Sequence, residues 1–131
     1  MGEIGRELAA VGGKHVGIIP RFMEPLVFPE LSEVIWTDTM AERKALMREK
    51  ASVAVALPGG IGTLDEFIET MVLLKLGKWA GRMYVLDIDG FYGPFRTLLD
   101  HYVATGMLDE VTRSLVEFPT TVGELMDMLK R

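Results

Sequence analysis

Short apolar runs alternate with amphipathic stretches along this chain. Ile4, Leu8 and Val11 share one stripe at helical spacing over residues 2–11, and Gly12-Gly13 ends that helix. Val16 to Ile19 is a short apolar run closed by Pro20, the pattern of a buried strand. Residues 21–32, with Pro25 and Pro29 among them, read as a loop, and Val34-Ile35-Trp36 as a second strand. Thr37 or Asp38 can cap a helix from roughly Thr39 to Lys50, with Met40, Leu46 and Met47 as its apolar members. Ser52 to Leu57 (SVAVAL) is the strongest strand, apolar on both faces and expected at the centre of a sheet.

A glycine turn at 58–62 then leads into a helix from about Thr63 to Leu76, ended by Gly77. Met83 to Ile88 is a further buried strand closed by Asp89-Gly90. Phe91 to Thr105 reads as a helix with Phe95, Leu98, Leu99, Tyr102 and Val103 facing inward. Leu115 to Phe118 is a last short strand. Thr121 caps a terminal helix to Lys130, with Glu124 three residues on as in a capping box. Strands alternating with helices predict βαβ units. The expected fold is therefore α/β, a Rossmann-like parallel sheet with helices on both faces, and residues 1–131 read as a single domain without repeat or linker.

Composition narrows the chemistry. Nineteen acidic residues against 14 basic ones give a net charge of −5, which argues against a general nucleic-acid binder, since that needs a basic stripe. The absence of cysteine excludes disulfides, thiolate metal sites and a cysteine nucleophile. His15 and His101 share no ligand spacing, so no metal site is expected. No apolar run reaches the roughly 18 residues of a membrane span. The first residues carry acids where a signal peptide would be basic, so the expected location is cytoplasmic.

The stretch SVAVALPGGIGTLDEF carries the chemistry. A strand delivers the chain to the carboxyl edge of a sheet, where open α/β folds bind ligands. Glycines allow close approach of backbone to an anion, and the helix start that follows offers N–H groups and the positive end of its dipole. Thr63 adds a hydroxyl. A bare Gly-Gly turn is equally a ligand-free βα connection. The whole string, however, is neither the GxGxxG of dinucleotide folds nor the GxxxxGK[ST] of triphosphate loops, which favours a monophosphate.

Glu66 lies three residues past Thr63, on the expected first turn, where it could reach a ribose. Asp65 reads as a helix-start acid. In Met40-Ala41-Glu42-Arg43-Lys44, spacing alone favours a solvated charged face, but this helix also follows a strand, so Arg43 or Lys44 could meet the phosphate or ribose. Arg21, after the first strand, is a further possible ligand contact. Asp87 and Asp89 read as turn residues, and Trp36 and Trp79 as packing or interface residues.

Together these two segments resemble the Lonely Guy (LOG) family of cytokinin-activating enzymes, whose signature is PGGxGTxxE with an upstream MxxRK. Pro58 to Glu66 and Met40 to Lys44 match both, and GIIP at 17–20 and the Asp-Gly-Phe-Tyr at 89–92 are similar to further family segments. The resemblance covers essentially the whole chain. It implies hydrolysis of the N-glycosidic bond of N6-modified adenosine 5′-monophosphates, or of AMP, to free base and ribose 5-phosphate. It implies Arg43 and Glu66 as catalytic residues, and Gly59, Gly60, Gly62, Thr63, Lys44 and Met40 as the phosphate and nucleotide site. It implies no metal or cofactor, no nucleic-acid or membrane partner, and a homodimer with its active site near the subunit interface. Family members carry a βαβ unit ahead of the point matched by Met1-Gly2, so the resemblance also implies a domain lacking its first βαβ unit. Two other readings compare with this one. One is a non-catalytic binder of the same phosphate ligand. The other is the lysine decarboxylase label often given to these proteins, for which neither a Schiff-base lysine nor a pyridinium partner is recognisable.

Overall fold

The computed structural model describes residues 2–131; Met1, half of the Met1-Gly2 pair at which the family resemblance starts, lies outside them. The chain divides into two compact units, one ending at Lys50 and one running from Ala51 to Arg131. Each contains a parallel sheet flanked by helices, the α/β architecture that the alternation of strands and helices predicts.

The first unit holds α1 (Gly2–Ala10), β1 (Val16–Pro20), β2 (Glu33–Thr37) and α2 (Met40–Lys50). β1 and β2 pair in parallel, with Gly17 opposite Val34 and Ile19 opposite Trp36. Part of the expected loop between them is a short 3-10 helix, Arg21–Leu26, with Pro25 inside it. That form tolerates a proline better than an α-helix does, because the piece is short. The cap of α2 is Thr39 rather than Thr37 or Asp38. Its hydroxyl accepts from the Glu42 N–H at 3.1 Å, while the Glu42 carboxylate accepts from the Asp38 N–H at 2.8 Å. This is a capping box displaced by one residue at its outer end.

The second unit holds β3 (Val53–Ala56), α3 (Ile61–Lys75), β4 (Arg82–Val85), α4 (Gly93–Ala104), α5 (Glu110–Ser114), β5 (Val116–Glu117) and α6 (Val122–Leu129). Its strands run parallel in the order β3-β4-β5. β4 is therefore the central strand and β3 an edge strand, contrary to the expectation for SVAVAL. Apolar residues on both faces of a strand report that both faces are covered. They do not report how many neighbours the strand has, and Val55 is 37% exposed.

β4 shows why helices cover both faces of this sheet. Successive side chains point to opposite sides of a strand. Met83 and Val85 enter a core with Phe67 and Met71 of α3, Leu99 of α4, and Phe118. Tyr84 and Leu86 enter a second core with Leu125 of α6. Within α4 only Leu99 is fully buried; Phe95 packs against the same core. Leu98 and Tyr102, expected to face inward, are 45% and 43% exposed. They lie a helical turn apart on the flank of the apolar stripe, beyond the reach of the sheet.

Helix ends follow the glycines. Gly12, Gly77 and Gly106 have φ of 69°, 66° and 76° at the ends of α1, α3 and α4. After α3, the Lys78 N–H reaches the Leu73 carbonyl at 2.8 Å and the Gly77 N–H reaches that of Leu74 at 3.0 Å. That closing pair needs a residue in the left-handed region, which glycine adopts without a Cβ penalty. The five-residue α5 escapes pattern reading because one turn shows no period. Its signal is the N-cap Asp109, whose carboxylate accepts from the Thr112 N–H at 2.7 Å. No described helix is long and apolar enough to cross a membrane.

Candidate active site

The second unit presents the glycine loop as one continuous piece: the end of β3, the turn Leu57 to Gly60, and the start of α3. The helix begins at Ile61, two residues before Thr63, with Gly60 as its N-cap and no side-chain cap on it. The three glycines of the motif differ in purpose. A Cβ on Gly59 would collide with the Thr63 hydroxyl, so glycine is required there by packing. A Cβ on Gly60 or Gly62 would meet nothing within 4 Å, and neither has a positive φ. Those two glycines face open space, and the backbone there is accessible.

The first four N–H groups of an α-helix have no partner inside it, and here they are those of Gly60, Ile61, Gly62 and Thr63. The Leu64 N–H makes the first bond of the helix, to the Gly60 carbonyl at 3.3 Å. The start of α3 is thus a bare, glycine-lined helix terminus at the carboxyl end of a parallel strand, the geometry that receives anions.

Glu66 stands on the second turn of α3, not the first. The helix starts earlier than the glycine turn at 58–62 suggested, and no acid lies in its first turn. Its proximity to the dipole end is correspondingly less. Glu66 is half-buried, and its backbone carbonyl accepts from the Thr70 hydroxyl at 2.8 Å. Asp65 beside it is exposed.

A support that sequence reasoning missed lies beneath the loop. Tyr92 is buried, its ring edge-on to Phe91 and Phe95, and its hydroxyl donates to the Leu57 carbonyl at 2.6 Å. The Gly59 backbone N–H is directed at the same oxygen. Burial raises the phenol above its ordinary pKa, and the Gly59 hydrogen bond pulls part of the way back. The Tyr92 N–H is held by the buried Asp87 carboxylate at 2.7 Å, and the Asp87 N–H by the Pro119 carbonyl at 2.8 Å. Asp87 and Asp89 do serve a turn, as expected: Asp89 has φ 53°, a left-handed conformation that aspartate tolerates better than most residues. The two aspartates were the available signal for this support. The tyrosine itself sat inside an apolar pattern that reads as core.

The first unit places Met40, Arg43 and Lys44 at the start of α2, all three half-buried. The Arg43 Nε donates to the Ile18 carbonyl at 2.8 Å, which fixes the guanidinium against β1. Arg43 also borders a cavity of about 660 Å³, lined mainly by apolar residues of α1, β1 and the segment after it. The other ring or guanidinium nitrogens on its wall are those of His15. The His15 Nδ1 lies 3.0 Å from the Gly13 carbonyl, and its buried Nε2 meets no hydrogen-bonding partner among the described residues. Arg21 pairs with Asp38 at 3.3 Å on the exposed surface.

A family model described as "Possible lysine decarboxylase" matches residues 1–129. Among curated proteins, the cytokinin riboside 5′-monophosphate phosphoribohydrolase LOG2 of Arabidopsis thaliana is 34% identical over 122 residues, covering 91% of this chain and 57% of that protein. The corresponding LOG protein of Oryza sativa subsp. japonica is 37% identical over 118 residues, 88% of this chain and 49% of its own length. The cytokinin riboside 5′-monophosphate phosphoribohydrolase of Mycobacterium marinum is 34% identical over 132 residues, 99% of this chain and 69% of its own length. The chain thus spans about half the length of the plant relatives it matches. The decarboxylase description suggests pyridoxal phosphate, which needs a desolvated lysine to form its Schiff base. No lysine is buried among the described residues, and Lys14, Lys75 and Lys130 are in surface ion pairs with Glu33, Asp109 and Asp127. The residues present do not fit that cofactor.

Proposed function

Since the chain belongs to the Lonely Guy family, we propose that it is a nucleoside 5′-monophosphate phosphoribohydrolase acting on AMP or its N6-modified forms. The observation that carries this reading is the glycine loop at the bare start of α3, with Glu66 one turn further along the same helix. The 5′-phosphate lies against the N–H groups from Gly60 to Thr63, with Gly59 shaping the inside of the turn and the Thr63 hydroxyl beside it. The family motif assigns Met40 and Lys44 to nucleotide binding as well.

Hydrolysis breaks the C1′–N bond, adds the hydroxyl of water to C1′ and returns the proton to the departing base. Positive charge builds at C1′ in the transition state, as in glycoside hydrolysis. The Glu66 carboxylate stabilises that charge and receives the proton of the attacking water. Arg43, already oriented by the Ile18 carbonyl, steadies the leaving base. No step calls on a metal or cofactor.

The test is release of adenine and ribose 5-phosphate from AMP, followed by chromatography. The expected outcome is stoichiometric release of both, abolished in Arg43→Ala. Binding of AMP without release would instead make the chain a non-catalytic binder of the same ligand.

We further propose that the working form is a homodimer with the site near the subunit interface. The support is a stripe of exposed apolar residues along α3: Ile61 is 83% exposed, Ile68 38%, Val72 49% and Leu76 61%. Their spacing puts them on one face of the helix that carries Glu66. Sedimentation equilibrium should give twice the chain mass, and Val72→Glu should give the single mass; a wild-type monomer at all concentrations would contradict this.

A further inference from the structure

The hydroxyl of Tyr92 and the backbone of the glycine loop form a fastening that neither the motif nor the proposed reaction accounts for. Tyr92 lies in the segment that leads from β4 into α4, at the N-cap position of that helix. Its ring is part of the core, so a phenylalanine would fill the same volume. The hydroxyl is the only part with a separate purpose, and it meets backbone on both sides of Pro58: it donates to the Leu57 carbonyl at 2.6 Å and accepts from the Gly59 backbone. The loop has few other restraints. Pro58 has no N–H to offer, Gly60 touches nothing beyond its own neighbours on its open side, and no side chain caps α3. Asp87 in turn fixes the Tyr92 backbone at 2.7 Å, and is itself buried and fastened to the Pro119 carbonyl.

We propose that Tyr92 is a positioning residue for the phosphate loop: its hydroxyl clamps Leu57 and Gly59, holding the N–H groups from Gly60 onward in the arrangement that binds the 5′-phosphate, with Asp87 setting the position of the clamp. This rests on the phosphoribohydrolase reading only for the identity of the ligand. A flexible glycine loop loses conformational freedom each time it closes on an anion. The clamp removes that loss beforehand, so its benefit falls on binding of the phosphate rather than on breakage of the glycosidic bond. The raised pKa of the phenol keeps the donor protonated up to strongly alkaline pH. The Gly59 N–H, being turned to Tyr92, supports the loop and is not itself a phosphate donor.

The experiment compares the wild-type chain with Tyr92→Phe by amide hydrogen exchange and by AMP kinetics. In the ligand-free wild type, the Gly59 N–H should exchange slowly and the Gly60 N–H fast; in Tyr92→Phe the two should become alike. The KM for AMP should rise about tenfold, the effect of losing a buried hydrogen bond or two, with kcat changed by less than about threefold. A hydroxyl that only stabilised the core would lower the melting temperature and leave KM where it was. Fast exchange of Gly59 in the wild type, or an unchanged KM in Tyr92→Phe, overturns the proposal. The wild-type exchange comparison decides it even if the variant does not fold. If the wild type neither binds nor hydrolyses AMP, the phosphoribohydrolase reading fails, and the exchange of Gly59 still decides whether Tyr92 clamps the loop.

Discussion

Individual residues divide by whether their role depends on type alone or on neighbours. Gly59, Glu66 and Arg43 were singled out by type and motif. The structure adds what two of them lean on: Gly59 on Thr63, Arg43 on the Ile18 carbonyl. Tyr92 entered only as one residue of a family-like segment and was given no role, because an aromatic residue at a buried position carries no mark of what its hydroxyl touches. Asp109 was missed for a related reason, since one acid before a single turn of helix has no period to betray it. Yet the Asp109 carboxyl is held well below its ordinary value. The Thr112 N–H and hydroxyl, followed by Lys75, hold it near a pKa of about 2 against 3.8.

Linkage then gives a sign at this scale. A carboxyl whose folded pKa is depressed stabilises the fold fully above its unfolded value and ceases to do so as pH falls through the folded value. Asp109→Asn should therefore be less stable than wild type at neutral pH. The gap should begin to close below about pH 3.8 and vanish near pH 2. Urea denaturation of both chains across that range measures it, and a gap independent of pH would refute the assignment.

At the scale of elements, periodicity located each described strand and all but one described α-helix, because apolar residues recur along them at the strand or the helix period. Ends were read well where glycine imposes a left-handed closure, as after α1 and α3. They were read less well where a cap was inferred from residue type. Thr39 caps α2 in place of its neighbours, and α3 opens at Ile61 on a glycine with no side chain to signal it. That two-residue shift moves Glu66 to the second turn.

The loop element makes a prediction that separates packing from binding. Gly59→Ala drives a Cβ into the Thr63 hydroxyl and should destabilise the fold measurably in the absence of ligand. Gly60→Ala meets nothing, so its stability should stay within about 0.5 kcal/mol of wild type. Its KM for AMP should nonetheless rise, because the new methyl sits where the phosphate would approach. Thermal melts and AMP titrations of the two variants check this, and equal stability losses would contradict it.

For the whole molecule, composition and alternation led to an α/β protein with parallel strands, and both units have that form. Which strand is central was not legible. SVAVAL and MYVLDI are equally apolar, and only the pairing places β4 between β3 and β5. The family was legible from two short motifs and is shown by the match over residues 1–129. The two residues proposed as catalytic lie on different helices, Arg43 on α2 and Glu66 on α3.

Glu66→Gln tests that proposal most directly. It keeps the size and the helix and removes only the charge. With AMP as substrate, release of adenine should fall by a factor of about 10² or more, the usual scale for a lost acid–base group. The dissociation constant for AMP should stay within a few-fold of wild type. A Glu66→Gln chain that releases adenine at the wild-type rate would contradict the account.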